Sequence, residues 1–192
     1  MIYALPTSLA IQGTEYAVRY DYRAVLDICI ALNDPELSQQ EKAEAALEIF
    51  YPDFEEMPPE HYREAIAKCF WFINGGEEEE PGNKSPRLVS WEQDFKLIAA
   101  PINRVLGREV RDIPYDRQAN TGGFHWWSFL SAYMEIGGDC TFAQVVSLRD
   151  KLARHKKLDK SEREWLRRNR RLVEFKVTYT EAEDALVKEW TM

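Results

Sequence analysis

Two short stretches of the chain carry side chains that could take part in acid-base or metal chemistry. His125 lies in a dense run of aromatic residues, and Glu60, His61 and Glu64 lie close together on one predicted helix. A histidine can act as a general acid or base or bind a metal ion, and a nearby carboxylate can share either task. Neither stretch supplies further ligands, and the sequence has no Gly-rich phosphate loop, nucleophile elbow or His-Glu-x-x-His motif. We therefore expect a protein that is not an enzyme and has no metal or cofactor.

The run around His125 is the most distinctive part of the sequence. Trp126 and Trp127 are adjacent, Phe129 follows closely, and a glycine pair precedes them. As a helix, this run would be apolar on nearly every face, which is typical of a buried helix. Core packing is therefore the preferred interpretation of both tryptophans. We expect His125 to donate one hydrogen bond inside the core rather than to act in catalysis.

The composition is that of a folded globular protein without a membrane segment. The 192 residues are 45% hydrophobic and 12% aromatic, as in ordinary globular domains. No apolar stretch reaches the length of about 20 residues that a membrane-spanning helix needs, and the N-terminus lacks the pattern of a secretion signal. Cys29, Cys69 and Cys140 are too widely spaced for a disulfide framework or a zinc ribbon. These features predict a protein of the cytoplasm.

Charge is distributed unevenly along the chain. The net charge is −8, but residues 149–171 contain 11 Lys and Arg against 4 Asp and Glu, a local charge of +7. The rest of the chain therefore carries −15. This asymmetry indicates either a basic segment that faces a partner or an internal match to the acidic part of the same chain.

The N-terminal part, residues 1–76, is predicted to form a β-hairpin and three helices. The hairpin turns at Gln12-Gly13. Asp21 can cap the first helix, and Ser38 with Glu41 forms a capping box for the second. The third helix follows two prolines and ends at a glycine pair. Its predicted inward face consists of Tyr62, Ile66, Cys69, Phe70 and Ile73.

The remaining residues are predicted to form a linker and a second set of helices. Residues 77–89 begin with four glutamates and contain prolines, which predicts an exposed, mobile connection. Residues 90–192 contain an aromatic central helix, a basic helix and a last short helix over 181–190. We expect a mainly α-helical protein with a small N-terminal β-hairpin, folded as one cooperative domain.

Capping patterns and one proline predict the helix boundaries in the C-terminal part. Ser90, Thr141 and Ser161 each begin a Ser/Thr-x-x-Glu/Gln pattern, so each is expected to open a helix. Pro101 interrupts the first of these helices. Because proline removes a backbone hydrogen bond and clashes with the preceding turn, that helix is expected to bend or split near Ala100.

The order of these parts resembles the bacteriophage "gene product fifteen" family, small proteins found in tail-morphogenesis regions of phages and prophages of Gram-positive bacteria. The resemblance covers residues 8–171 in layout, and its specific matches lie in residues 91–150. The chain departs from the family pattern at Pro101 and in the connection 107–123, which lacks the usual hydrophobic run. The matching residues, which we expect mostly in the core, are Trp91, Asp94, Ile98, His125, Trp126, Trp127, Phe129 and Arg149.

The resemblance implies a tail-assembly chaperone or accessory factor that keeps the tape-measure protein soluble until tail-tube subunits polymerise around it. The implied partner is the tape-measure protein or another tail protein, and self-association is a further option. Such a chaperone needs an exposed apolar groove flanked by charge. The alternative is that the same apolar stripes dock their own helices onto the core. The candidate partner-binding residues are Trp165, Leu166, Arg167, Arg168, Arg171, Leu172, Leu186 and Trp190.

Nucleic-acid binding through residues 149–171 is the alternative function. Their lysines and arginines could contact phosphates, with an affinity that falls as salt rises. The acidic remainder of the chain opposes this interpretation, because a sequence pI of about 5.1 predicts repulsion of a polyanion elsewhere on the surface. The sequence also contains no recognised nucleic-acid-binding motif. We therefore favour protein contacts over nucleic acid.

Overall fold

α-Helices make up most of the regular structure in the computed structural model, which describes residues 4–78 and 86–176. The predicted fold class is confirmed, since helices dominate and a small antiparallel hairpin lies near the N-terminus. The described residues divide into two units, one made of 4–78 and 114–127 and the other of 86–113 and 128–176. The predicted helix with Leu186 and Trp190 lies outside the described residues, as do positions 79–85 of the predicted linker.

The first unit begins with the predicted hairpin. Strands β1 (Ser8–Ile11) and β2 (Thr14–Ala17) pair antiparallel, with Ile11 opposite Thr14. The two turn residues Gln12 and Gly13 have φ values of 49° and 80°. Two consecutive positive φ values are characteristic of the tight hairpin turn whose twist matches that of the strands. Ile11 is fully buried, so the hairpin contributes to the core of this unit.

Three helices follow the hairpin in the first unit. They are α1 (Tyr22–Leu32), α2 (Gln39–Phe50) and α3 (Tyr62–Ile73). Asp21 caps α1, and Ser38 with Glu41 makes both hydrogen bonds of the capping box at α2, as predicted. Buried aromatic rings of this unit pack closely, with the Phe50 centroid 4.8 Å from Tyr51 and 5.1 Å from Phe72.

The inward face of α3 differs from the prediction. Ala65, Cys69 and Phe72 are buried, whereas Phe70 is 39% exposed. The helix carries apolar residues on more than half of its circumference, so the sequence allowed two rotations about the helix axis. The observed rotation places Phe72 against Phe50, and Phe70 therefore faces solvent.

Residues 114–127 belong to the first unit, although they fall inside the predicted C-terminal part 90–192. They include a second short antiparallel hairpin, β3 (Tyr115–Asp116) with β4 (Thr121–Gly122), which the sequence analysis treated as a loop. Each strand has only two residues, too few to show an alternating apolar pattern. Asn120 ties this hairpin to the chain near β2, because its amide donates to the backbone oxygen of Val18 at 2.9 Å.

Most helices of the second unit follow the predicted order. They are α4 (Trp91–Leu106), the later part of α5 (Trp126–Met134), α6 (Thr141–Ala153), α7 (Lys160–Arg168) and α8 (Arg170–Val173). Helix α4 continues through Pro101, so the proline does not split it. Ile98 and Ile102 are fully buried on either side of the proline, and this burial offsets the missing hydrogen bond.

Two helices of the second unit begin at caps other than those predicted. Cys140 caps α6, its sulfur accepting a hydrogen bond from the Ala143 backbone N–H at 3.4 Å. Asp159 caps α7 and shares a capping box with Glu162. Both caps lie shortly before the predicted Thr141 and Ser161. In α7, the pattern of Asp159 with Glu162 overlaps that of Ser161 with Glu164. Aspartate is at least as good a cap as serine, and the earlier pattern forms the cap.

Helix α5 is less buried than its composition predicted. Trp126, Phe129 and Ala132 are buried, but Trp127 is half-buried and Met134 is 79% exposed. A helix that is apolar on nearly all sides is expected to be enclosed. Here one face is enclosed, and the C-terminal end reaches solvent.

Candidate functional site

The glycine pair before the aromatic block makes room for a buried carboxylate. Asp21 is fully buried, and its side chain accepts hydrogen bonds from the backbone N–H groups of Arg23 at 3.0 Å and Phe124 at 2.7 Å. Gly123 has φ of +82°, and a Cβ at this position would overlap the Asp21 carboxylate. Asp21 thus caps α1 and fixes the start of the aromatic block, and only glycine fits beside it. Burial raises the pKa of the Asp21 carboxyl, while its hydrogen bonds act in the opposite direction.

His125 has both ring nitrogens engaged in hydrogen bonds. Its Nε2 lies 2.9 Å from the backbone oxygen of Pro6, and its Nδ1 accepts from the backbone N–H of Trp127 at 3.0 Å. This pattern requires a neutral ring protonated on Nε2. The ring stacks on Tyr20 at a centroid distance of 5.5 Å, and burial lowers the pKa of His125. The histidine therefore connects the segment at Pro6 to the start of α5 and has no free ring nitrogen for a ligand or proton transfer.

The two tryptophans close the C-terminal end of α3. The indole N–H of Trp126 donates to the backbone oxygen of Ile73 at 2.8 Å, and that of Trp127 donates to Phe72 at 2.9 Å. The last carbonyls of a helix have no partner within the helix, and the Trp126 indole satisfies that of Ile73. The Phe72 oxygen accepts from the Gly75 backbone N–H as well as from the Trp127 indole. A Cβ on Gly76 would lie 2.9 Å from the Trp127 ring, so this glycine lets the indole approach.

Asp94 and Arg149 form a buried ion pair in the second unit. The two residues are 0% and 4% exposed, and the guanidinium makes two contacts to the carboxylate, at 2.5 and 3.0 Å. Its other N–H groups donate to the backbone oxygens of Leu88, Leu172 and Val173. All five donors of the guanidinium are therefore used, which is the condition for a buried charge to be tolerated.

The other matching residues of the second unit are also structural. Ile98 and Phe129 are fully buried. Trp91 is half-buried, with its ring centroid 5.1 Å from Tyr133 and 6.2 Å from Phe129. The residues that carry the family resemblance thus lie in or beside the core of each unit and form hydrogen bonds or an ion pair there. A surface for a partner must be sought elsewhere on the described structure.

The apolar stripe of the basic helix is covered by the protein itself. Trp165, Leu166 and Leu172 are half-buried and pack against the cluster of Val145, Leu148 and Val173. These three candidate partner-binding residues therefore form no open groove. The reason is that a short amphipathic helix gains stability by burying its own apolar stripe. The polar candidates Arg167, Arg168 and Arg171 are exposed.

Local carboxylates neutralise about half of the basic segment. Six of its eleven cations form ion pairs, among them Arg149 with Asp94 and Arg168 with Glu164. The other five have no carboxylate partner among the described residues. They are Lys157, Lys160, Arg163, Arg167 and Arg171.

A groove on α3 exposes apolar surface in the first unit. It has a volume of about 370 Å³, and the exposed ring of Phe70 forms part of its wall. The Lys68 ammonium lies 5.8 Å from the centroid of Trp71, whose ring meets Trp127 edge-on. The sequence analysis missed this groove because it assigned Phe70 to the core. The lining residues are Ala67, Lys68, Phe70, Trp71, Asn74, Glu77 and Glu78.

Comparison with protein families decides the affiliation of the chain. The profile of the family described as bacteriophage Gp15 protein matches residues 1–175, most of the sequence. The chain belongs to the bacteriophage Gp15 protein family. Neither the curated proteins nor the solved structures that were compared contain a match. The α3 groove and the basic helices of this Gp15 family member lie inside the matched range, whereas Leu186 and Trp190 lie beyond it.

Two further features of this Gp15 family member concern membranes and metals. In the described parts of the chain, no helix is both long and apolar enough to cross a membrane. Across residues 4–78 and 86–176, no three His, Cys, Asp or Glu side chains are grouped so that they could hold a metal ion.

Proposed function

We propose that this phage protein is a non-enzymatic tail-assembly factor that binds the tape-measure protein in the cytoplasm of the bacterial host. Membership of the Gp15 family supports a role in the phage, and the resemblance noted from the sequence points to the tail. The α3 groove carries the structural part of the proposal. It is an exposed aromatic surface that the described chain does not cover.

The groove has the chemistry to receive an amphipathic helix of the tape-measure protein. Such a helix binds by inserting apolar side chains at positions i, i+3, i+4 and i+7 into a groove. Phe70 and Trp71 provide aromatic contact area, and aromatic residues contribute strongly to binding at interfaces. Lys68 lies within α3, and Glu77 and Glu78 follow its C-terminal end, where the helix dipole is negative. The favoured client segment is therefore apolar on one face and basic at one end.

Co-expression with the tape-measure protein of the same phage tests the proposal. Tagged pull-down and size-exclusion chromatography at moderate salt are expected to show co-elution and increased solubility of the tape-measure protein. Two changes in the groove, Ala67→Glu and Phe70→Glu, are expected to abolish co-elution. Both positions are exposed, so the free energy of unfolding of each variant is expected to lie within about 1 kcal/mol of the wild-type value.

Ile30→Glu is the matched control for these variants. Ile30 is 42% exposed in the same unit but does not line the groove. It is expected to retain co-elution. Equal binding by wild type and by a folded Phe70→Glu variant would exclude the groove as the client site. A wild type that never associates with the tape-measure protein would remove the proposed function itself.

A further inference from the structure

Helix α2 displays an acidic face, in which Glu41 and Glu44 accept hydrogen bonds, within the described structure, only from groups of their own helix end, Ser38 and Gln40. Glu41, Glu44 and Glu48 are exposed and lie three and then four positions apart. The buried residues of α2 are Ala46, Leu47 and Phe50, which lie on the opposite side of the helix. None of the three carboxylates forms an ion pair with a described cation. We name these three residues the acidic face.

Helices α7 and α8 display a basic face of the same geometry. Lys160, Arg163 and Arg167 are exposed and also lie three and then four positions apart, and the exposed Arg171 follows in α8, after the break at Asn169. Trp165, on the other side of α7, packs against the core of the second unit. The four cations have no carboxylate partner among the described residues. We name these four residues the basic face.

The two faces match in sign and in spacing. Seven residues of α-helix span about 10 Å, so Glu41 to Glu48 and Lys160 to Arg167 cover equal lengths. Opposite charges on adjacent helices at this spacing lie within reach of one another, as at the charged edges of coiled coils.

We propose that the acidic face of one copy of this protein binds the basic face of a second copy. Because the two faces are different surfaces, the contact is head-to-tail: one copy keeps its basic face free, and the other keeps its acidic face free. Repetition of such a contact produces a closed ring or an open chain of copies. Exposed ion pairs are individually weak, so the association is reversible and sensitive to salt.

A second copy fits the basic face better than nucleic acid does. Exposed carboxylates flank the row of cations, since Glu164 pairs with Arg168 and Glu174 pairs with Arg170. The rest of the chain, with a net charge of −8 overall, repels a phosphate backbone but supplies the carboxylates that a contact between two copies needs. Nucleic-acid binding by the basic face is therefore an outcome that the experiment must distinguish.

Sedimentation velocity of the full chain over a range of concentrations is the first measurement. At an ionic strength of about 0.1 M, where the Debye length is about 10 Å, the average sedimentation coefficient is expected to rise with concentration. At about 1 M, where the Debye length is about 3 Å, the protein is expected to sediment as a monomer. A wild type that is monomeric at every concentration and salt would overturn the proposal.

Charge reversal of each face separates this contact from other kinds of association. Glu44→Lys with Glu48→Lys makes both faces basic, and Arg163→Glu with Arg167→Glu removes the basic row. Glu41 is left unchanged because it belongs to the capping box of α2. Each variant alone is expected to associate at least about tenfold more weakly than wild type, because like charges then face each other. An equimolar mixture of the two variants is expected to restore association, since each supplies the face that the other lacks.

Controls with the same change of net charge lie away from both faces. Glu55→Lys with Glu60→Lys matches the first variant, and Lys96→Glu with Arg108→Glu matches the second; all four positions are exposed. These controls are expected to associate like wild type. Failure of the mixture to associate, with both variants folded by circular dichroism, would refute the head-to-tail contact. Loss of binding to a DNA duplex in the Arg163→Glu, Arg167→Glu variant, without any self-association of wild type, would assign the basic face to nucleic acid instead.

Discussion

Single residues of the aromatic block have roles that depend on close contacts. Gly123 lies against the buried Asp21 carboxylate, and His125 uses both ring nitrogens in hydrogen bonds. The sequence predicted a core hydrogen bond for the histidine. It did not predict that Asp21, more than a hundred positions away, would require the glycine.

Replacement of Gly123 by alanine is expected to destabilise the protein by about 3 kcal/mol. About 1 to 2 kcal/mol comes from the left-handed backbone, and the remainder from overlap of the new Cβ with Asp21. Gly13→Ala is the control, because Gly13 also has a positive φ but open space around it. Chemical denaturation of both variants measures the difference. Equal losses of unfolding free energy would show that the contact with Asp21 is unimportant.

The histidine makes stability depend on pH in a defined direction. Burial lowers the pKa of His125 in the folded protein, so the unfolded chain binds its proton at a higher pH, near the ordinary value of about 6.5. Stability from this residue is therefore complete above about pH 6.5 and is lost as the pH falls through the folded pKa. Thermal melts at pH 7 and pH 5 are expected to show a smaller difference for His125→Asn than for wild type. An identical pH dependence in the two proteins would contradict this account.

At the scale of elements, one arginine ties several helices of the second unit. Arg149 on α6 contacts Asp94 on α4 and donates hydrogen bonds to the backbone carbonyls of Leu172 and Val173 in α8. Both charged residues had been singled out by the resemblance, but nothing in the sequence paired them. Their separation of 55 positions and the ordinary abundance of Asp and Arg hide such a pair.

Arg149→Met is expected to cost about 3 to 5 kcal/mol, because it leaves the Asp94 carboxylate buried without a counter-ion. The double variant with Asp94→Leu is expected to be more stable than Arg149→Met alone, since no unpaired charge remains. A double-mutant cycle from urea denaturation measures this coupling. Purely additive losses would show that the two residues do not act as a pair.

At the scale of the whole molecule, the chain alternates between two units, passing from the first to the second and back before ending its described course in the second. The sequence analysis predicted one cooperative domain. That stays a prediction: neither unit is made of one continuous segment, and whether the two unfold together is a matter for measurement.

Variants in different units test this cooperativity. Gly123→Ala changes the first unit and Arg149→Met the second. If the protein unfolds as one domain, calorimetry is expected to show a single transition that both variants shift to lower temperature. Two transitions, each moved by only one variant, would show that the units unfold independently.

Local patterns were enough to predict the hairpin turn, the caps at Asp21 and Ser38 and the mainly helical fold, because turns and caps depend on residues only a few positions apart. The same reasoning predicted the wrong rotation of α3 about its own axis and overestimated how much of α5 is buried. In both helices most positions are apolar, so the pattern does not single out one inward face. The cap of α7 was displaced because the capping patterns of Asp159 and Ser161 overlap, whereas no capping pattern in the sequence marked Cys140 as the cap of α6.

The sequence by itself determined the helical class, the order of the elements and the family resemblance, since these follow from periodicity and from a distinctive aromatic block. Only the tertiary structure decided that Phe70 faces solvent, that Asp94 meets Arg149 and that the apolar stripe of α7 is covered. Within the described part of each unit, it also decided which exposed charges of α2 and of α7 are left without an ion pair. These outcomes depend on contacts between residues far apart in sequence, where packing and desolvation select one arrangement among several that local preferences allow equally.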